Sequence, residues 1–316
     1  MKTYCWTGFL TILTMVFMGC RETAVSIPDS DAALSRLSFV MIHLEAGYQS
    51  RLDNNLPPGI VLPDEYRKRE LGWQEYLWPT VISLVQKADQ YGFKLTLAFN
   101  PQWGQFILLD PAKVSLVRQW QAAGHEVGFH HHARNHPDWN GYSNANTGAN
   151  PVPLLGTVNE GFSYVRNLGS PENVISSTMG GIPDDHPSLM TPPAGTDFVF
   201  GNGNYFDSYP ACLPSGQQLR SLVPVRSYLQ NFDRYKVDLT IRVLSTVMEC
   251  LTVDEAIPIL EDQYVKMSPT EVFGTVFHEF DYFVRRDSYI KWFDFLKNNG
   301  ARVRTMRDVA AEYFKH

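Results

Sequence analysis

An α/β fold, a distorted (β/α) barrel of seven or eight mainly parallel strands, is what this 316-residue chain predicts. Two observations carry that expectation. Apolar runs of strand length alternate with helical stretches, and the helical stretches stop at glycines, namely Gly92, Gly124, Gly169 and Gly300. Such alternation builds βαβ units and a parallel sheet. No glycine-rich dinucleotide fingerprint follows the first strand, which weakens the alternative of an open doubly wound sheet. With 44% apolar and 13% aromatic residues the chain has the composition of a folded globular protein. It shows no repeats and no internal linker, so residues 36–316 form one domain in this reading.

Each element follows from local pattern. Residues 38–44 (SFVMIHL) are an apolar run of strand length. Residues 78–91 have helical periodicity and end at Gly92, a residue suited to the left-handed position after a helix. Residues 93–99 (FKLTLAF) alternate as a strand. A helix over 111–123 opens with Pro111, which suits a first turn, and stops at Gly124. Residues 125–130 are the next strand, 157–168 a helix and 174–179 a strand. The second half is less regular. Strands are expected at 197–200 and 221–225, then a helix over 252–267 with Thr252 and Glu255 as a capping box and Pro258 as a point of disturbance. A strand over 272–277, a helix over 286–298, a short strand over 301–305 and a helix over 307–314 complete the chain. Residues 137–157, rich in Gly, Asn and Pro, are long for a connection and suit a substrate surface.

The amino terminus reads as targeting, not fold. Lys2 precedes an uncharged apolar stretch, residues 4–18, too short for a membrane span. The run Phe17-Met18-Gly19-Cys20 looks like a bacterial lipobox, with Phe17 where Leu is usual. Residues 1–19 are then a lipoprotein signal peptide, Cys20 the lipidated residue and 20–35 a tether. The alternative is an ordinary secretory signal. Both place the domain in the bacterial cell envelope, outer membrane or periplasm, where membrane contact is through the anchor only. In that oxidising compartment Cys212 and Cys250 are either a disulfide or two buried thiols. A net charge of −6 and the absence of Lys/Arg blocks argue against nucleic acid as a partner.

The chemistry concentrates at Gly124-His125-Glu126-Val127-Gly128-Phe129-His130-His131-His132-Ala133-Arg134-Asn135-His136. Four of the nine histidines fall within seven residues, and imidazole is the commonest protein ligand for transition metals. On a helix His132 and His136 would share a face; on a strand His130 and His132 would share a side. His43 and Glu45 end the first strand and His278 ends a late one, so a parallel barrel brings them to the same face. One carboxylate with two imidazoles is a common catalytic metal set.

At these residues the chain resembles the polysaccharide deacetylase superfamily, of the carbohydrate esterase family 4 type. GHEVGFHHH is similar to that family's Gly-His-Glu-Ile-Gly-x-His stretch before a metal-binding HxxxH. Thr275-Val276-Phe277-His278 resembles its late strand, and residues 296–305 its closing helix, glycine and strand. The resemblance spans about residues 36–314. It implies a barrel of the (β/α)7 type, a divalent metal, most often zinc, and deacetylation of an N-acetylated polysaccharide or oligosaccharide. Carried over, Glu45, His132 and His136 are the ligands, with His130 as rival, and His278 protonates the leaving amine. The family's paired Asp motif is absent: His43-Leu44-Glu45 stands there, which leaves His43 or Asp185 as base, or His43 as an extra ligand. Thr191-Pro192-Pro193 resembles the family's Arg-Pro-Pro motif without its Arg.

Bland alternatives accompany each residue. His125 faces away from the site by strand alternation, Glu279 and Asp281 cap the following loop, and Asp184, Asp185 and His186 suit a solvated turn. Trp139 and Tyr142, with Trp103 and Tyr205, are candidates for stacking on sugar rings. Two rival functions remain open: a glycoside hydrolase using Glu45 with Asp281 or Glu279 across a sugar ring, and a glycan-binding lipoprotein without turnover.

Overall fold

The computed structural model describes residues 36–47, 56–132, 139–144, 154–169, 176–180, 195–203, 205–248 and 250–315. The signal segment 1–19, the tether 20–35 with Cys20, and His136, Asp184, Asp185, His186 and Thr191 lie outside the described residues.

Strand β1 (Leu37–Leu44) pairs in parallel with β2 (Thr96–Phe99), and β2 with β3 (Glu126–His132). The ladder continues through β4 (Ser176–Gly180), β5 (Phe198–Asn202), β7 (Arg234–Val243) and β8 (Phe273–His278), and β8 returns to β1. Every pairing in this ring is parallel, so seven strands curl into a distorted barrel. Strand β6 (Val225–Leu229) hangs antiparallel on the outer half of β7, and β9 (Arg302–Val303) lies beside the start of β1. Helices α1 (Asp64–Arg67), α2 (Gly72–Tyr91), α3 (Pro101–Leu108), α4 (Pro111–Ala122) and α5 (Val158–Arg166) come from the first half. Helices α6 (Val253–Lys266), α7 (Glu279–Asn298) and α8 (Met306–Tyr313) come from the second. No helix among the described residues is long and apolar enough to cross a membrane.

Strand alternation divides the core in two. Val40, Ile42, Leu44, Leu97, Phe99, Val127, Phe129, Phe273 and Phe277 face the helices. Phe39, Met41, Ala98, Val237, Leu239, Ile241, Val243 and Val276 fill the barrel. The interior is close-packed: a Cβ on Gly274 would stand 2.1 Å from the Phe39 ring. The same alternation aims the residues that follow on the inner face, His43, Glu45, His130, His132 and His278, at the barrel mouth.

Several sequence expectations need correction. The strand expected at 221–225 starts only at Val225, because Pro224 has no N–H for a ladder. The ten-residue β7, RYKVDLTIRV, was not anticipated, although Val237, Leu239, Ile241 and Val243 alternate with polar residues. Helix α3 was missed as well: Gly104 inside a short apolar stretch hides a helix that Pro101 starts. Helix α2 begins at Gly72, six residues before the expected start, and runs through Pro79. Pro258 likewise sits within a continuous α6, whose Thr252–Glu255 capping box forms as expected. The helix expected from residue 286 is the second part of α7, which breaks at Arg285 (φ −128°, ψ 39°).

Cys212 and Cys250 form a disulfide, so the alternative of free thiols falls. It ties the 3-10 turn Pro210–Cys212 to the segment that follows β7 across 38 residues of sequence. Closing a loop of that length restricts the unfolded chain by about 3–4 kcal/mol. The paired change Cys212→Ser with Cys250→Ser is therefore expected to lower unfolding stability by about 3 kcal/mol in urea titrations. Reductant should shift the wild type and leave the variant unmoved.

Candidate metal centre

At the end of β1 the Glu45 carboxylate is almost completely buried, 1% exposed. A lone carboxylate there would be strongly penalised, so it needs positive or hydrogen-donating partners. Three imidazoles supply them. His130 Nε2 lies 3.0 Å from Glu45 Oε1, His132 Nε2 3.2 Å and His278 Nε2 3.4 Å. Burial pushes the Glu45 pKa up, but the charges and hydrogen bonds of His132 and His130 together outweigh it and bring the pKa well below the ordinary carboxylate range.

Strand alternation explains why His130 and His132 meet the same oxygen. They stand two apart on β3 with side chains on the inner face. His131 between them turns outward, where Asn140 Nδ2 lies 3.2 Å from its Nδ1. The expected ligands Glu45 and His132 are thus together, and His130, the rival, is beside them. His136, the other expected ligand, lies outside the described residues.

His130 Nε2 and His132 Nε2 are only 2.8 Å apart. One proton can sit between two such nitrogens, but it cannot also serve the carboxylate oxygen that faces both. A shared cation satisfies all three. The three edges, 2.8, 3.0 and 3.2 Å, approach the ~3.3 Å ligand spacing of tetrahedral zinc. The second oxygen, Glu45 Oε2, is buried with no hydrogen-bond partner among the described residues. The donor set, two neutral-capable imidazoles and a carboxylate, fits a divalent metal of the zinc type.

His43 extends the cluster. Its ring stacks on His130 with centroids 3.8 Å apart and meets His278 edge-on at 5.6 Å. The ligand atoms of His43, Glu45 and His130 all lie within 4.8 Å of one another. Burial, followed by the neighbouring charge on His130 and His278, keeps the His43 pKa well below that of free histidine. Ala98 and Gly128 stand level with His43 on the next two strands, small residues where the rings crowd.

His278 closes β8 and starts α7. As the N-cap residue it donates its backbone N–H to Asp281 Oδ2 at 2.8 Å, and the same oxygen meets His278 Nδ1 at 2.7 Å. The i, i+3 spacing of a helix start thus builds an imidazole–carboxylate pair whose Nε2 points at Glu45. Burial disfavours the charged ring, but Asp281 outweighs it, and the His278 pKa is raised to about 9. The ring stacks flat on Phe280. Thr246 N–H and Oγ1 donate to Asp281 Oδ1 at 2.7 and 2.5 Å, and Ser245 Oγ does so at 3.2 Å. Asp281 therefore does more than cap a loop.

Glu279 also has a specific place. Its carboxylate accepts from the Glu45 backbone N–H at 3.2 Å and from Trp73 Nε1 at 2.9 Å. Burial, then the charge on Glu45, pushes its pKa up to about 8. Gly47, at φ +58°, lets the chain turn against Trp73, where a Cβ would meet the ring at 2.2 Å.

The expected sugar platforms do not present ring faces. Trp139 and Tyr142 are 2% and 3% exposed. The Trp139 indole donates to the Tyr142 carbonyl, and Tyr142 OH accepts from Gln105. Tyr142 packs so closely on α5 that a Cβ on Gly161 would stand 2.7 Å from its ring. Trp103 is buried against Trp78 and Phe106, and the side chain of Tyr205 is outside the described set. These loop aromatics hold their own domain together. His125, as expected, is turned away from the site: its Nδ1 accepts from Leu95 N–H and its Nε2 meets Asp89 at 3.1 Å. Sequence reasoning missed Ser245 and Thr246 because it missed β7, whose end they follow.

No family model matches the chain, and no curated protein matches it. Solved structures do. A provisionally assigned polysaccharide deacetylase from Mycobacterium smegmatis aligns over 92% of each chain at 14% identity with a TM-score of 0.54. A second, from Pseudomonas aeruginosa PAO1, aligns over 89% of this chain and 91% of its own at 12% identity with a TM-score of 0.51. The chain shares its fold with these two structures.

Asp281 receives five hydrogen bonds around one buried carboxylate. Asp281→Ala is expected to lower unfolding free energy by about 2–4 kcal/mol, measured by urea denaturation. A change below about 0.5 kcal/mol would contradict this account.

Proposed function

We propose that this protein is a metal-dependent hydrolase that removes acetyl groups from an N-acetylated polysaccharide or oligosaccharide. The observation that carries the reading is the convergence of three imidazole Nε2 atoms on one oxygen of the buried Glu45. The shared fold with polysaccharide deacetylase structures supports it. Glu45, His130 and His132 would hold the ion, with zinc as the proposed metal and His136 as a further proposed ligand. Bound there, a zinc ion would supply Lewis acidity toward an amide carbonyl and lower the pKa of water.

The chain's own residues account for the proton traffic. Hydrolysis adds hydroxyl to the carbonyl carbon and a proton to the departing nitrogen. His43, kept neutral chiefly by burial, takes the proton from water. His278 holds a proton near neutrality because Asp281 favours its charged form, and delivers it from Nε2 to the sugar nitrogen. Asp281, anchored by Thr246, fixes the ring so that Nε2 faces the centre. A glycoside hydrolase reading is less favoured, since the oxygens of Glu279 and Asp281 are taken up by protein donors. A lipid anchor at Cys20 and an envelope location complete the proposal.

Zinc-reconstituted protein is expected to bind about one metal per chain and to release acetate from N-acetylated oligosaccharides. A chelator should stop the release and added zinc restore it. The paired change His130→Ala with His132→Ala should abolish both metal and acetate, measured by atomic absorption and acetate assay. Metal binding without acetate from any N-acetylated glycan would overturn the deacetylase reading. No metal in the wild type would overturn the metal reading.

A further inference from the structure

Asn100 follows β2 directly and is fully buried, 0% exposed. Among the described residues neither side-chain atom, Oδ1 nor Nδ2, has a hydrogen-bond partner. A buried amide left unsatisfied at both ends is costly, and native proteins keep such groups for a reason. Helix capping is not the reason. Asn100 is the N-cap residue of α3, a position where Asn ordinarily bonds to the first turn, yet it makes no such bond. Pro101 at the first helical position pre-sets the turn without it.

Its place in the barrel points elsewhere. Leu44 pairs with Phe99, and Phe99 with Phe129, all on the outer face. The next residues along these strands are Glu45, Asn100 and His130, which share one level on the inner face. Extended backbone at Asn100 (φ −86°, ψ 170°) and its N–H bond to Leu44 O at 3.2 Å continue the ladder to that level. The Asn100 backbone therefore lies between those of Glu45 and His130, two residues of the candidate centre. Glu45 Oε2, also without a hydrogen-bond partner among the described residues, belongs to a residue at the same level. Three unsatisfied polar atoms, carried by residues at one level of the barrel mouth, suit a polar group that the described residues do not provide.

We infer that Asn100 is a ligand-contacting residue of this centre, its Nδ2–H donating to the carbonyl oxygen of an amide held against Glu45 and His130. The assignment rests on the hydrolase reading above and adds a side-chain donor to it. A donor aimed at that oxygen strengthens its bond as negative charge develops there, so it favours the transition state over the bound substrate.

Asn100→Leu, close in size and without polar atoms, tests the assignment. Removing one such donor is expected to lower kcat about 100-fold or more while KM stays within a few-fold and metal content is unchanged. The melting temperature should rise, by about 2 °C or more, since a buried unsatisfied amide has been removed. A structural asparagine would behave oppositely: the melting temperature would fall and bring activity down with it, which overturns the inference. An unchanged kcat also overturns it. If Asn100→Leu does not fold, Asn100→Ala decides: a kcat loss with metal retained supports the inference, and wild-type kcat overturns it. A wild type that releases no acetate would strike the deacetylase reading alone. The melting comparison then settles Asn100, a rise supporting a ligand-facing amide and a fall refuting it.

Discussion

A carboxylate taken out of water at the mouth of a parallel barrel is the constraint around which the rest is arranged. Glu45 cannot remain ionised there without compensation, and the surrounding residues provide it. Two inner-face positions of β3 are histidine, and the first inner-face position at the end of β8 is histidine. The adjacent acid, Glu279, is held near neutrality by the same burial, so two carboxylates sit close together with one bearing the charge. Ala98 and Gly128 leave room for the crowded rings. Strand geometry does the positioning, because parallel strands end on one face and inner residues recur every second position.

Asp281 and Glu279, two residues apart at the start of α7, show how surroundings assign roles to similar groups. Asp281 collects backbone and hydroxyl donors and uses the remaining oxygen to raise the pKa of His278. Glu279 collects one backbone N–H and one indole and faces the back of Glu45. Their common origin is the first turn of a helix, where unpaired N–H groups and the helix dipole favour acids. Helix α7 then bends at Arg285 before continuing along the barrel.

Much of this was legible in the sequence, and for definable reasons. Apolar runs and glycine stops revealed the strands of the first half and the helices α2, α4 and α5, because each buries one face and ends where glycine turns easily. His130 and His132, two apart, already implied a shared side of a strand. What stayed hidden depends on tertiary context. Strand β7 mixes Lys236, Asp238 and Arg242 among its apolar residues, because it faces the barrel on one side and polar neighbours such as Gln263 on the other. Trp139 and Tyr142 looked like exposed platforms because they lie in a polar connection, yet their polar atoms are bonded within the loop and to α3. Asn100 gave no signal in the sequence, since α3 itself was missed; the missing cap bond and the register beside Glu45 set it apart.

The ring of strands closes between β8 and β1, where His278 stands level with His43. The Glu45 backbone bonds to Glu279 across 234 residues of sequence. The seam thus joins opposite ends of the polypeptide, and its contacts form only after nearly the whole chain is available. Contacts so distant make for slow assembly. Until β8 arrives, β1 is an open edge with its hydrogen-bonding groups unpaired, able to join the wrong neighbour. A chain interrupted before β8 would keep the histidines of β3 and the acid of β1 but lack both the closing strand and His278. Completion of the barrel and completion of the centre are therefore one event in the life of the polypeptide.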